Sequence, residues 1–327
     1  MEEHTGEGDR KDQDVLLDFY FQVRHFLNMY ENLDDHYRIY TELREDGTFL
    51  LRLFCVDPSK CLSDCLEKGK ASVFFSATLL PILYYKKLLS GNMEDYAVYA
   101  PSPFPKENRL LLIGSDVSSR YSRRNQAEYE KTADYIRAVA ESHKGNYMVF
   151  FPSYRYMEAV EKELDRGFDG SFTWQMQGSR MTEDEREAFL EDFDTRRERS
   201  FVGLCVLGGI FSEGIDLRAD RLEGVIVVGT GLPMVCAEQE ILKDYFQERE
   251  GKGYDYAYQY PGMNKVLQAA GRVIRTDTDK GIILLLDDRF LRPEVQEMFP
   301  WEWSEYGMVT RRTIGGWLER FWQEKGE

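Results

Sequence analysis

Residues 223–229, EGVIVVG, and 280–286, KGIILLL, are apolar through their centres, and between them lies an amphipathic stretch, MNKVLQAAGRVIR, at 263–275. A strand with one wet face alternates polar and apolar residues. A run without alternation is buried on both faces, as parallel strands between layers of helices are. The same rhythm extends upstream. It predicts strands at 48–55, 71–76, 109–114, 146–151, 200–207, 223–229 and 280–286. Helices are predicted at 15–33, 125–143, 154–166, 182–193, 236–249, 263–275 and 311–325. In the second of these, Tyr129, Ala133, Ile136 and Ala140 form one stripe; in the fourth, Thr182 and Glu185 form a capping box. Repeated β–α alternation predicts an α/β fold: a mostly parallel sheet with helices on both faces, preceded by a short helical segment.

The composition bounds what such a fold can do. With 327 residues, 43% of them hydrophobic and 14% aromatic, the chain can build a large core, which excludes a globally disordered class. No run approaches the roughly 18 apolar residues of a membrane span. The first 14 residues, MEEHTGEGDRKDQD, read as a disordered acidic tail and not as a signal peptide. A cytoplasmic protein without a membrane partner is expected. The net charge of −16 argues globally against a polyanionic partner. Binding is local, however, and the first 50 residues hold 13 acidic and five basic residues, a net of −8 that is half of the total. Basic text survives downstream at Arg120, Arg123 and Arg124 and at Arg196, Arg197 and Arg199. Any nucleic-acid grip is therefore expected to be a narrow basic track on an acidic body. Of the five cysteines, Cys55, Cys61 and Cys65 lie close together in a C-x5-C-x3-C spacing that is not a common zinc pattern. Cys61 and Cys65 fall four apart on a short helix opened by Asp57-Pro58, so packing is the expected role and no metal site is expected.

Ligands in open α/β sheets bind beyond the carboxyl ends of the strands. Four stretches at such ends carry chemistry. Ser76-Ala77-Thr78-Leu79 follows SVFF, and its small hydroxyls suit a loop, a phosphate or a helix cap. In the second, Pro152-Ser153-Tyr154 follows a strand; Ser153 suits the cap of the next helix and Tyr154 suits stacking on a base. The third, Gly208 to Leu217 (GGIFSEGIDL), puts Glu213 and Asp216 beside Gly214 in a loop where a backbone can approach a ligand. In the fourth, a continuous helix through Gln268, Gly271, Arg272 and Arg275 would project the amide and both guanidiniums within about 60° of one another. Arginine suits phosphate because its fork donates bidentately and stays charged.

In this order and spacing, S-A-T-L, F-F-P-S-Y, G-x-F-S-E-G-I-D-L and Q-A-A-G-R-V-I-R resemble the later motifs of superfamily 2 helicases. F-S-E-G-I-D followed by V-V-G-T-G-L-P at 227–233 resembles the XPD/DinG branch in particular. The resemblance spans about 48–292 and implies a RecA-like fold. It also implies the roles. Ser76 and Thr78 would couple ATP state to nucleic acid, and Ser153 and Tyr154 would contact a single strand. Glu213, Gly214, Asp216 and Gly271 would line the nucleotide cleft, and Gln268, Arg272 and Arg275 would serve the γ-phosphate, with the finger among the arginines left open. The implied activity is that of an ATP-dependent 5′→3′ DNA helicase using ATP and Mg²⁺. Neither G-x-x-x-x-G-K-[ST] nor D-E-A-H is present, so the partner implied besides single-stranded DNA is a first motor domain with a Walker A motif, upstream or on a separate chain. No iron–sulfur cluster is expected in this chain. On this reading residues 15–46 end an arch insertion, 47–80 hold the last strands of the first motor domain, and 81–327 form the second RecA-like domain. The alternative is a non-catalytic single-strand-binding or regulatory module. A metabolic α/β enzyme is weaker still, since no G-x-G-x-x-G is present.

Overall fold

In a computed structural model, residues 6–193, 198–211 and 222–323 are described. They fall into two units, one running to Phe74 and including Tyr85–Asp95, the other formed by Phe75–Tyr84 and the chain from Tyr96 onward.

The first unit opens with helix α1 (Gly6–Glu31), so Gly6 to Asp14 continue the helix predicted from 15 where a disordered tail is expected. Strands β1 (Tyr37–Leu43) and β2 (Phe49–Cys55) then pair antiparallel, Tyr37 opposite Cys55 and Leu43 opposite Phe49. The sequence predicts only the second strand and places residues 37–43 in a helical segment. The missed signal is Asp46-Gly47, a hairpin turn pair in which Gly47 takes φ +84° and the Asp46 carboxylate accepts from the Thr48 N–H at 2.9 Å. Helix α2 (Ser59–Leu66) carries Cys61 and Cys65 as expected, both exposed. The strand predicted at 71–76 does not form. Val73 and Phe75 are 82% and 90% exposed, and no neighbouring strand among the described residues offers a ladder to this backbone. Helix α3 (Ile82–Leu89) follows and contributes residues to both units.

The second unit is one seven-stranded sheet. Its strands are β3 (Arg109–Gly114), β4 (Asn146–Phe151), β5 (Phe172–Met176), β6 (Ser200–Val206), β7 (Gly224–Val228), β8 (Gly281–Leu286) and β9 (Gly307–Val309). The order is β5-β6-β4-β7-β8-β3-β9, and every pairing is parallel. Both faces are buried, as the unbroken apolar runs require. Along β7, Val225 and Val227 enter one core while Ile226 and Val228 enter the other. Helices α6 (Glu183–Glu191) and α8 (Tyr260–Ala270) bring Phe189, Met263, Val266 and Ala270 to the first core. Helices α4 (Gln126–Ser142), α5 (Tyr154–Asp165) and α10 (Ile314–Gln323) bring Ile136, Val160 and Leu318 to the second. Helix α7 (Ala237–Glu250) and the short α9 (Pro293–Gln296) complete the set. The capping box is present: the Thr182 hydroxyl accepts from the Glu185 N–H, and the Glu185 carboxylate accepts from the Thr182 N–H at 2.7 Å. At the carboxyl terminus Phe321 is buried and Trp322 stacks on His143 at 4.1 Å, whereas Trp317 stays 38% exposed.

The register aligns the strand ends. Phe151 lies beside Val206, Val228 beside Leu286, and Gly114 beside Leu286. The segments that follow β3, β4, β6, β7 and β8 therefore leave the sheet along one edge, which is where the chemistry gathers. No described helix is long and apolar enough to cross a membrane.

Candidate functional site

Ser153 is the N-cap of α5. Its backbone is extended and its hydroxyl accepts the Tyr156 N–H at 3.3 Å, satisfying one of the donors that a helix start leaves open. Ser153→Ala is expected to lower stability by about 1 kcal/mol, read as a shift of the urea midpoint, with Thr at the same position restoring most of it. Tyr154, the first residue of the helix, is fixed at its oxygen. Its hydroxyl donates to the Gly178 carbonyl at 3.3 Å and accepts from the Gln177 amide at 2.8 Å. Burial, and then the neighbouring Cys205, push this phenol above its ordinary pKa, so it stays neutral and able to donate.

Gln177 is the residue that sequence reasoning missed. It is 3% exposed and sits at the carboxyl end of β5. Its amide oxygen accepts from the Val206 N–H at 2.9 Å while its amide nitrogen holds Tyr154. A Cβ at Gly209 would stand 3.2 Å from that amide, and Gly208, at φ +75°, lies with the Lys265 chain 3.2 Å from where its own Cβ would be. One hydrogen-bonded and packed line therefore runs from Tyr154 through Gln177 to the Gly208-Gly209 turn and on to Lys265 of α8. The signal for Gln177 was hidden because FTWQM is short and half polar, and no strand was predicted there.

Beyond Lys265 the helix departs from expectation. It stops at Ala270, five residues short of the predicted end, with Gly271 at its C-cap donating to the carbonyls of Leu267 and Ala269. The Asp279 carboxylate then takes the N–H groups of Arg275 and Thr276 at 2.7 and 2.8 Å, donors that another helical turn would have used internally. Val273 turns into the core. The single helical face through Gln268, Arg272 and Arg275 is thus not formed. Gln268 is exposed on α8, Arg272 is 9% exposed, and Arg275 is half-buried beyond the helix end. The Arg272 charge reaches the fully buried Cys205 thiol of β6, opposing the burial that raises its pKa. Glu213, Gly214 and Asp216 lie outside the described residues.

Ser76 and Thr78 form a local turn, the Ser76 hydroxyl accepting the Thr78 N–H at 3.2 Å, on an exposed segment. The basic cluster after β3 is tied down. Arg120 pairs with Asp288 at 3.0 Å and Arg123 with Glu128 at 3.2 Å. Arg124 donates to the Ser119 carbonyl at 3.1 Å and lies over the Tyr121 and Tyr156 rings. Arg199 donates to the Gly170 carbonyl, while Arg196 and Arg197 lie outside the described residues. At the end of β8, Asp287 is completely buried. It accepts from the Ser119 N–H and hydroxyl at 2.8 and 2.6 Å and from Arg289 Nε and Nη2 at 2.7 and 2.9 Å. Burial alone raises its pKa, but Arg289 and Ser119 outweigh burial and hold it below the ordinary carboxylate value.

A parallel seven-stranded sheet between two helical layers, with polar loops gathered at its carboxyl edge, is a RecA-like α/β domain. Residues 136–306 match the helicase C-terminal domain family, and the chain belongs to that family. The chain is 28% identical over 262 residues to the general transcription and DNA repair factor IIH helicase subunit XPD/RAD3 of Saccharomyces cerevisiae, covering 76% of this chain and 33% of that protein. It is 23% identical over 308 residues to the ATP-dependent DNA helicase CHL1 of Eremothecium gossypii, covering 88% and 38%. It thus spans about a third of the length of these relatives. An apo XPD structure superposes with a TM-score of 0.63 at 19% identity, covering 92% of this chain and 59% of that one, which shows the shared fold.

Proposed function

We propose that this chain is the second motor domain of an ATP-dependent DNA helicase of the XPD type, translocating 5′→3′ on single-stranded DNA. The observation that carries the reading is the Tyr154–Gln177–Gly208–Lys265 line. It joins the residue matched to strand contact to the turn that opens the nucleotide-lining motif, and then to the helix that leads into Arg272 and Arg275. Displacement at either end is transmitted through side chains that are buried or packed, and packed interiors transmit strain.

ATP and Mg²⁺ would lie between this domain and a first motor domain that supplies the phosphate cradle. The donors present here fit that task. Arg275 is half-buried beyond the end of α8, with its backbone N–H held by Asp279, and its guanidinium is the group assigned to developing γ-phosphate charge. Arg272, nine-tenths buried, serves as the support. Mg²⁺ would neutralise the β- and γ-phosphate oxygens, and this chain's share is the guanidinium.

The isolated chain is expected to hydrolyse ATP negligibly, because no Walker A lysine is present. Turnover measured on the pure chain that disappears in Arg275→Ala would overturn that assignment. DNA binding without any gain in ATPase on adding a Walker A domain would favour the binding-module alternative.

A further inference from the structure

Behind the loop that follows β7 lies a cavity of about 70 Å³, among whose lining residues are Thr230, Leu232, Tyr254, Gln259, Arg289 and Arg292. Thr230 and Leu232 belong to the V-V-G-T-G-L-P stretch, the lining lies outside the four motifs, and the cavity sits at the same carboxyl edge of the sheet. We propose that it is a further subsite for single-stranded DNA, in which one base stacks on Tyr254 and directs its polar edge to Thr230 and Gln259. The proposal rests on the reading of this chain as a strand-binding motor domain.

The platform is prepared. Tyr254 is 49% exposed, and its ring lies on Tyr258 with centroids 5.5 Å apart and planes 28° from parallel. Tyr258 is 5% exposed and donates to Glu240 at 2.6 Å, so the lower ring cannot drift. Tyr254 caps, and Tyr258 lies within, a π-helical turn, Asp255–Gln259, a distortion that recurs at functional sites. The opposite wall is rigid as well. Gly231 takes φ +69°, and a Cβ there would stand 2.3 Å from the Gly262 carbonyl, so the Thr230-Gly231-Leu232 loop is pressed onto the start of α8. Two and three residues along the chain from Leu232, Met234 and Val235 are 85% and 75% exposed.

The chemistry selects a base on a strand and not a free nucleotide. The volume is well below the roughly 300–1,000 Å³ of pockets that engulf whole small molecules. Arg289 is neutralised by Asp287, and Arg292 has Glu294 at 3.8 Å, so the phosphate attraction is modest and stacking supplies most of the grip. The Arg292 side chain, 46% exposed, is placed to meet the phosphate next to a stacked base.

The test is fluorescence anisotropy of a labelled 20-residue oligo-dT with the full chain at low salt. Tyr254→Ala is expected to weaken binding roughly 5- to 100-fold, and Tyr254→Phe to restore it, because stacking needs the ring and not the hydroxyl. Arg292→Ala is expected to reduce the slope of log K against log salt by about 0.7. Near-parental binding in Tyr254→Ala, with loss confined to Tyr154→Ala, overturns the subsite and leaves the strand-binding reading standing. Absence of oligo-dT binding by the parent chain overturns both. Tighter competition by free dTMP than by the oligomer overturns the assignment to a strand.

Discussion

Arg275→Ala, in a protein that unites this chain with a Walker A motor domain, is expected to lower kcat for strand-stimulated ATP hydrolysis by about 10³–10⁵-fold, the worth of an arginine finger in other nucleotide hydrolases. The capping of this segment by Asp279 survives the substitution, because it uses the backbone N–H, which alanine retains. Arg272→Ala should behave differently. Removing a long side chain that is only 9% exposed strips packing from the interior, so unfolding should be easier by about 2–5 kcal/mol as activity falls. The pair of measurements separates finger from support. Lost turnover with an unchanged melting curve in Arg272→Ala, alongside retained turnover in Arg275→Ala, would reverse the assignment.

The second large effect belongs to Asp287→Ala, expected to destabilise the sheet unit by about 3–5 kcal/mol in urea denaturation, since it leaves the Arg289 guanidinium and the Ser119 donors without their acceptor. The pH dependence follows from the direction of its shift. A carboxyl held below its ordinary pKa in the folded state contributes its full stabilisation above the ordinary carboxylate range. That contribution is lost as pH falls through this range toward the folded value. Parental protein should therefore lose stability more steeply than Asp287→Ala on acidification below the ordinary aspartate value, and equal slopes would contradict the role given to this pair.

The sheet was legible because its central strands are buried on both faces. VIVV and IILLL admit no alternating reading, and the T-x-x-E box, the Ser153 cap and the α4 stripe each have a local cause that one sequence displays. What failed lacked such a cause. The run at 71–76 looks like a strand, yet a strand exists only where a neighbour supplies the ladder. In the hairpin strand at 37–43 the apolar residues are broken up by Arg38, Thr41 and Glu42, β5 is only five residues long, and with β5 the role of Gln177 goes unseen. The arginine face failed for a subtler reason. Helical projection assumes that the helix continues, and Gly271 with Asp279 ends it before Arg272. The acidic total likewise concealed that Arg120, Arg123 and Arg124 are tied within the domain, so the basic track expected there is not a free surface.

The proposed role, completing a nucleotide site through a line linking Tyr154 to α8, makes turnover depend on the strand. The most direct measurement is ATP turnover by the united two-domain protein with and without oligo-dT, compared between parent and Gln177→Ala. Oligo-dT is expected to accelerate the parent severalfold or more. In Gln177→Ala the acceleration should be largely lost, with the oligo-dT concentration for half-effect raised as well. Full acceleration in Gln177→Ala would contradict the proposed role.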